Sequence, residues 1–200
     1  MFVRTERLFL RPTWPDDLDE FVALLNEQEV ARNIGTKALP GTAEQAMETI
    51  SAPRDPLLPH FFINLRTDDG LKLIGGIGLG RDGDDVELGY WIGRAFQGQG
   101  YAGEAVAAVL NNAWMLGHPR IVARHVADSE ATARVLTRAG FQVTGEIGRR
   151  HSHARGGDVE VMTFVAERPA MAGLAAPPVS IANPPDLMAR PVSPKSRSPA

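Results

Sequence analysis

The sequence predicts an α+β domain on a mixed, mostly antiparallel central sheet, with elements in the order β-α-α-β-β-β-α-β-α-β-β. Three observations predict it. First, His60 to Arg66, Leu71 to Leu79 and Val86 to Ile92 are strand-like runs separated only by short Asp/Gly turns, which is the pattern of antiparallel hairpins. Second, a helical run from Gly100 to Leu116 connects this meander to a further strand, Ile121 to Val126, as a parallel crossover would. Third, 44 % apolar and 22 % charged residues in a chain of 200 match a soluble globular protein. The meander argues against a doubly wound α/β fold.

The elements follow in order. Phe2 to Arg11 alternates around Leu8 and Leu10 and reads as one strand ended by Pro12. Pro15-Asp16-Asp17 opens a helix through about Glu27, with acids where the helix dipole favours them and a stripe of Phe21, Leu24 and Leu25. Thr42 to Ile50 is a shorter helix with Thr42 as N-cap; Pro53, Pro56 and Pro59 then forbid regular structure. The three meander strands come next. In the long helix, Ala102, Ala105, Val106, Val109, Ala113 and Leu116 fall at i, i+3, i+4 spacing, and Gly117 stops it. Ser129 to Ala139 is a helix with Ser129 as N-cap and Gly140 after its end. Phe141 to Ile147 and Val159 to Ala166 are the last strands, joined by a loop from Arg149 to Asp158.

Composition changes after Arg168. Pro169 to Ala200 holds eight of the fifteen prolines and no aromatic residue, so it offers little apolar surface against the entropy of ordering. The expected organisation is a domain over residues 1–168 and a Pro-rich, disordered tail over 169–200. Without cysteine, the chain has no disulfide, zinc-thiolate site or cysteine nucleophile. No run of eighteen apolar residues exists to span a membrane, and Met1 to Arg7 carries charges where a signal peptide needs apolar residues, so a cytoplasmic address is expected. The net charge of −3 gives no general attraction to nucleic acid or anionic membrane. His151 and His153 lack a third ligand at useful spacing, so no metal is expected and a solvated loop is the better reading. Trp14 and Trp114 read as packing residues.

The most informative stretch is Ile92-Gly93-Arg94-Ala95-Phe96-Gln97-Gly98-Gln99-Gly100-Tyr101-Ala102-Gly103. It leaves a strand and enters a helix whose first amides lack intrahelical partners and sit at the positive end of the dipole. Its small residues let a ligand come close, as an anion site, and pyrophosphate in particular, requires. Gly98-x-Gly100-x-x-Gly103 also matches the dinucleotide fingerprint, with Asp128 beyond it. Its context disagrees, because five residues separate it from the strand and an antiparallel meander precedes it.

Gln97-x-x-Gly100-x-Ala102 resembles instead the Q/R-x-x-G-x-G/A motif of the GNAT acyltransferases. Glu87-Leu88-Gly89-Tyr90-Trp91-Ile92 before it, Ser129 to Phe141 after it, and Thr5-Glu6-Arg7-Leu8-x-Leu10-Arg11 at the start stand in the order of the RimJ/RimL-like, ribosomal-protein-type branch, over about residues 3–167. The resemblance implies acetyl-CoA as cosubstrate and an amine acceptor, either a protein or peptide N-terminus or a small-molecule amine, in a monomer or homodimer. It implies that Tyr90, Trp91 and Ile92 receive the pantetheine arm, with the amide of Trp91 or Ile92 polarising the thioester carbonyl. It implies that Gln97, Gly98, Gln99, Gly100, Tyr101 and Ala102 cradle the pyrophosphate, and that Ser129 and Thr132 lie near the lower pantetheine.

The acceptor amine must lose a proton to attack, and Glu87, on the cleft strand among apolar neighbours that would raise its pKa, is the candidate base. Many relatives carry a tyrosine four residues before the Gly-Phe pair to protonate the leaving thiolate. Leu136 stands there in this chain, which leaves Ser129 as the candidate acid, or no acid at all. Two other readings stay open: a non-catalytic acyl-CoA-binding sensor or adaptor, and a dinucleotide-binding oxidoreductase.

Overall fold

Alternating apolar residues build one eight-stranded sheet, and helices close both of its faces. The computed structural model of the chain describes residues 1–27, 30, 40 and 42–169. Within the unit Met1–Arg168 the elements are β1 (Val3–Arg4), β2 (Leu8–Arg11), α1 (Leu18–Leu25), α2 (Ala43–Ser51), β3 (His60–Thr67), β4 (Gly70–Asp82), β5 (Asp85–Ile92), α3 (Tyr101–Met115), β6 (Arg120–Val126), α4 (Glu130–Arg138), β7 (Gln142–Ser152) and β8 (Gly157–Glu167). The strand order is β1-β2-β3-β4-β5-β6-β8-β7, and all neighbours are antiparallel except β5 and β6. This is the expected α+β architecture. The expected tail falls, from residue 170 onward, outside the described residues.

Each helix start has a local cause. A 3-10 turn, Pro15–Asp17, leads into α1, and the Thr42 hydroxyl accepts the Gln45 amide at 3.3 Å to open α2. Ser129 precedes α4 as expected, but its hydroxyl caps no amide; it lies 2.9 Å from the Thr132 hydroxyl.

The sheet faces bury different clusters. Ile63, Ile77, Leu79 and Leu88 pack against α3 and α4, while Phe62 and Leu73 pack against Phe21 of α1 and Ile50 of α2. Leu73 and Ile77 are both odd-numbered yet face opposite layers. A bulge accounts for this: Ile63 pairs with Gly75 but Asn64 with Leu73, so Ile74 is an extra residue and the alternation reverses there.

Two expectations are corrected. The first strand, expected over Phe2 to Arg11, is two strands folded against each other, because Thr5 turns the chain: its amide donates to the Leu8 carbonyl at 3.0 Å and its hydroxyl accepts the Leu8 amide at 3.0 Å. The expected loop from Arg149 to Asp158 is mostly a ladder, with Arg149 opposite Glu160 and Ser152 opposite Gly157, and only His153–Arg155 turns. β7 is an edge strand exposed along nearly its whole length, so it carries no apolar alternation to announce it. The packing assigned to Trp14 is also revised. It is 44 % exposed and covers the Arg11 guanidinium at 4.2 Å, whereas Trp114 does pack against the larger cluster.

Candidate active site

The site begins where the sheet parts. β5 and β6 pair only at Glu87 and Val122, although both strands run on toward their C-terminal ends. A cavity of about 700 Å³ occupies the gap. Peptide orientation along β5 follows from one hydrogen bond. The Gly93 amide donates to the Ile74 carbonyl at 2.8 Å, and the β4–β5 register runs from there without a break. Alternate peptide groups therefore face β4, including that of Trp91, whose carbonyl crowds Gly75. Those of Tyr90 and Ile92 face the gap. The Ile92 carbonyl is taken by the Gln97 side chain at 2.9 Å, so the Ile92 amide and both groups of Tyr90 remain on that side.

The glycine-rich turn follows. Gly98 and Gly100 adopt φ of +73° and +84°, which their missing β-carbons permit. The first backbone bond of α3 runs from the Glu104 amide to the Gly100 carbonyl at 3.2 Å, so Tyr101, Ala102 and Gly103 present amides without a partner inside the helix. The glutamine side chains of the motif hold the turn rather than project from it: Gln97 binds Ile92, and Gln99 donates to the Ala95 carbonyl at 3.0 Å. Arg7, to which the sequence assigned no role, braces the outside. Its guanidinium donates to Glu104 at 2.7 Å and to the Gln99 carbonyl at 3.0 Å, and it covers the Tyr101 ring at 4.6 Å. Burial would raise the Glu104 pKa, but the Thr5 hydroxyl and Arg7 together hold it below the usual carboxylate value.

Tyr90, Ser129, Thr132 and Leu136 line the α3/α4 side of the cavity. Leu136 is 1 % exposed and purely apolar, so the position carries no acid. On the other face the cavity continues past Trp91, Phe21, Phe62 and Arg54, between the sheet and the first two helices.

Glu87 also lines the cavity, but its surroundings differ from the apolar ones expected of it. Guanidinium nitrogens of Arg124 and Arg150 each lie 3.9 Å from its carboxylate. Arg124 is anchored to Asp82 at 2.8 Å and Asp85 at 2.6 Å, and Arg150 pairs with Asp82. Glu87 thus sits beside a charged cluster of two arginines and two aspartates as well as the cavity. Nothing local in the sequence signals Arg124 or Arg150: one comes from β6 and the other from the unannounced part of β7. The His151 and His153 rings meet edge-on at 5.1 Å, and His151 faces Asp158 at 3.4 Å. No cluster able to hold a metal exists among the described residues. None of the described helices is long and apolar enough to cross a membrane.

Comparisons with known proteins agree with this geometry. The family profile described as acetyltransferase (GNAT) domain matches residues 7–142. The chain is 28 % identical over 173 residues to the uncharacterized N-acetyltransferase YoaA of Bacillus subtilis, covering 84 % of this chain and 97 % of that one. Among solved structures, a GNAT-family acetyltransferase from Bacillus anthracis superposes with a TM-score of 0.71 at 19 % identity, covering 84 % of this chain and 99 % of its own. The RimL ribosomal L7/L12 α-N-protein acetyltransferase gives 0.68 at 16 % identity, with 84 % and 94 % covered. The microcin C7 self-immunity acetyltransferase MccE, in complex with acetyl-CoA and AMP, gives 0.67 at 18 % identity, with 82 % and 93 % covered. The profile spans most of the domain and the fold agrees with it: the chain belongs to the GNAT acetyltransferase family and is an N-acetyltransferase.

Proposed function

We propose that the chain acetylates a primary amine by direct attack on the thioester, with a protein or peptide α-amine as the preferred acceptor. The parted strands carry this reading. An arm entering from the turn at Gly98 to Ala102 meets the free peptide groups of Ile92 and Tyr90 in the gap, as a further strand would. The thioester carbonyl accepts from one of these gap-facing amides, an oxyanion contact that strengthens as charge develops. Trp91, whose peptide group faces β4, is set aside for that role. The pyrophosphate lies over the amides of Tyr101, Ala102 and Gly103.

Glu87, at the root of the gap, takes the amine proton directly or through water. Two guanidinium groups, each 3.9 Å from its carboxylate, flank it there. The preference for an α-amine rests on the RimJ/RimL-like order of the motifs and on the fold shared with RimL. The cavity on the α1/α2 face is where the acceptor enters.

The test is to supply acetyl-CoA with a panel of peptides, aminoglycosides, amino acids and polyamines and to follow released thiol. Turnover greatest with peptide α-amines is expected; no turnover with any amine would falsify the transferase reading. Glu87→Gln should lower kcat by about a hundredfold while CoA affinity holds. An unchanged rate would remove Glu87 as the base, whereas tight CoA binding without turnover of any amine would favour the non-catalytic acyl-CoA sensor. That second reading draws on the apolar Leu136 and the cationic setting of Glu87. The turn follows an antiparallel β3–β4–β5 meander and opens a single β5–α3–β6 crossover, not the run of βαβ units on which a dinucleotide fold is built.

A further inference from the structure

The walls of the gap carry two polar atoms that the reaction described so far does not use. Among the described residues, the Tyr90 hydroxyl and the His125 Nε2 are buried without a hydrogen-bond partner. Both residues line the cavity. Continuing the pairing of Glu87 with Val122 by three residues places Tyr90 level with His125, one on each parted strand. Both side chains lie on the face covered by α3 and α4: Tyr90 packs on that cluster, and the His125 ring packs 5.0 Å from Phe164 within it. Burying a donor or acceptor unpaired is costly, so a ligand that completes both atoms is favoured at this level of the gap.

The two atoms have defined hydrogen-bonding roles. His125 Nδ1 lies 2.7 Å from the Val126 carbonyl, which keeps the ring proton on Nδ1 and leaves Nε2 as an acceptor. The Thr132 hydroxyl is near the Tyr90 phenol but outside hydrogen-bond geometry, so the phenol O–H is available as a donor. Burial pushes that phenol up to about 12, against a smaller opposing effect of Thr132, and it stays protonated across the neutral range. Leu136, on the same side of the cavity, has no proton to offer.

Resting on the acetyltransferase reading, we propose that Tyr90 is the catalytic hydrogen-bond donor to the departing sulfur, supplied from strand β5 because Leu136 of helix α4 has no proton to give. As the amine nitrogen bonds to the acyl carbon and the carbon–sulfur bond breaks, the electron pair stays on sulfur. The Tyr90 O–H donates to that thiolate without surrendering its proton, and the amine proton departs by way of Glu87. Once solvent has protonated the sulfur, its S–H faces His125 Nε2.

The deciding measurement, ionisation of the bound thiol, needs no knowledge of the acceptor. CoA is bound to the wild-type chain and to Tyr90→Phe, and the ionisation of the bound thiol is followed across pH by thiolate absorbance. Tyr90→Phe should bind CoA within about threefold of wild type. Its bound thiol should hold about tenfold less thiolate at a given pH, and kcat should fall by a similar factor with KM for acetyl-CoA unchanged. Equal ionisation in the two proteins overturns the proposal. Should Tyr90→Phe fail to fold, the wild type alone decides: its bound thiol must ionise at lower pH than free CoA, and an unshifted thiol overturns the proposal. Absence of CoA binding by the wild type defeats the acetyltransferase reading beneath it. Binding and turnover with an unshifted thiol defeat only the role of Tyr90.

Discussion

Gly100 concentrates the requirements of the anion site in one residue. Its φ of +84° excludes a β-carbon at low cost, and its carbonyl accepts the first bond of α3. Gly100→Glu adds both backbone strain and a negative charge where phosphate must lie. CoA affinity measured calorimetrically should fall by at least about a hundredfold, or roughly 2.7 kcal/mol; retained affinity would remove the pyrophosphate from this turn. His125 makes a different prediction. Burial lowers its pKa, and the Val126 carbonyl and Asp128 oppose this without reversing it. The unfolded chain, with histidine near 6.5, therefore binds a proton at a pH where the folded one does not. The contribution of His125 to stability is complete above about pH 6.5, falls as pH drops through the interval down to the folded value, and levels off below it. Denaturant midpoints measured between neutral and mildly acidic pH should fall more steeply in wild type than in His125→Gln. Parallel curves would show that the ring binds its proton equally in the folded and unfolded chain.

At the scale of elements, what could be read in advance depended on how locally each feature is encoded. Helix α2 with its Thr42 cap, helix α3 and the turn at Gly98–Gly100 are written in residues a few positions apart, and the sequence locates all of them. The split of β1 from β2 turns on Thr5–Leu8 contacts inside a run that alternates throughout, the ladder inside the expected Arg149–Asp158 loop lies on an exposed edge without apolar alternation, and the arginines around Glu87 come from tens of residues away, so periodicity encodes none of them. The Tyr90–His125 level is of the same kind, since it exists only through the β5–β6 register. Strand β4 shows an intermediate case. Gly75, Gly76 and Gly78 look weakening in a central strand, but a β-carbon on Gly76 would lie 2.6 Å from the Trp91 indole nitrogen. Gly76 makes room for the Trp91 indole and Gly78 for the His60 ring, and Trp91 in turn packs 6.1 Å from Phe21 beside the cleft. Gly76→Val should cost about 1–3 kcal/mol in urea unfolding and weaken CoA binding by displacing β5. A stable variant with unchanged CoA affinity would mean that the indole moves aside without shifting the strand.

The whole molecule is a sheet joined across its middle by little backbone. β1 to β5 and β6 to β8 meet at the single pair of Glu87 and Val122, reinforced by Arg124 reaching Asp82 and Asp85. In the binding mode proposed above, an arm in the gap replaces the missing ladder, bonding to Tyr90 and Ile92 of one half while packing against the other. A ligand that completes the sheet binds only the folded chain, so CoA at about a hundred times its Kd should add roughly 2.7 kcal/mol of stability. For a domain of this size that corresponds to a rise in Tm of about 5–10 °C. NAD at the same concentration should leave Tm where it is, because its nicotinamide half has no peptide-like arm to pair with the strand edge in the gap. Hydrogen exchange separates this account from general tightening. Amide protection on CoA binding should concentrate at Tyr90, Ile92 and residues 101–103, and the β1–β2 hairpin should exchange as before. Uniform slowing across the domain, or a melting shift of equal size with NAD, would mean that the ligand does not bind as the strand missing between β5 and β6.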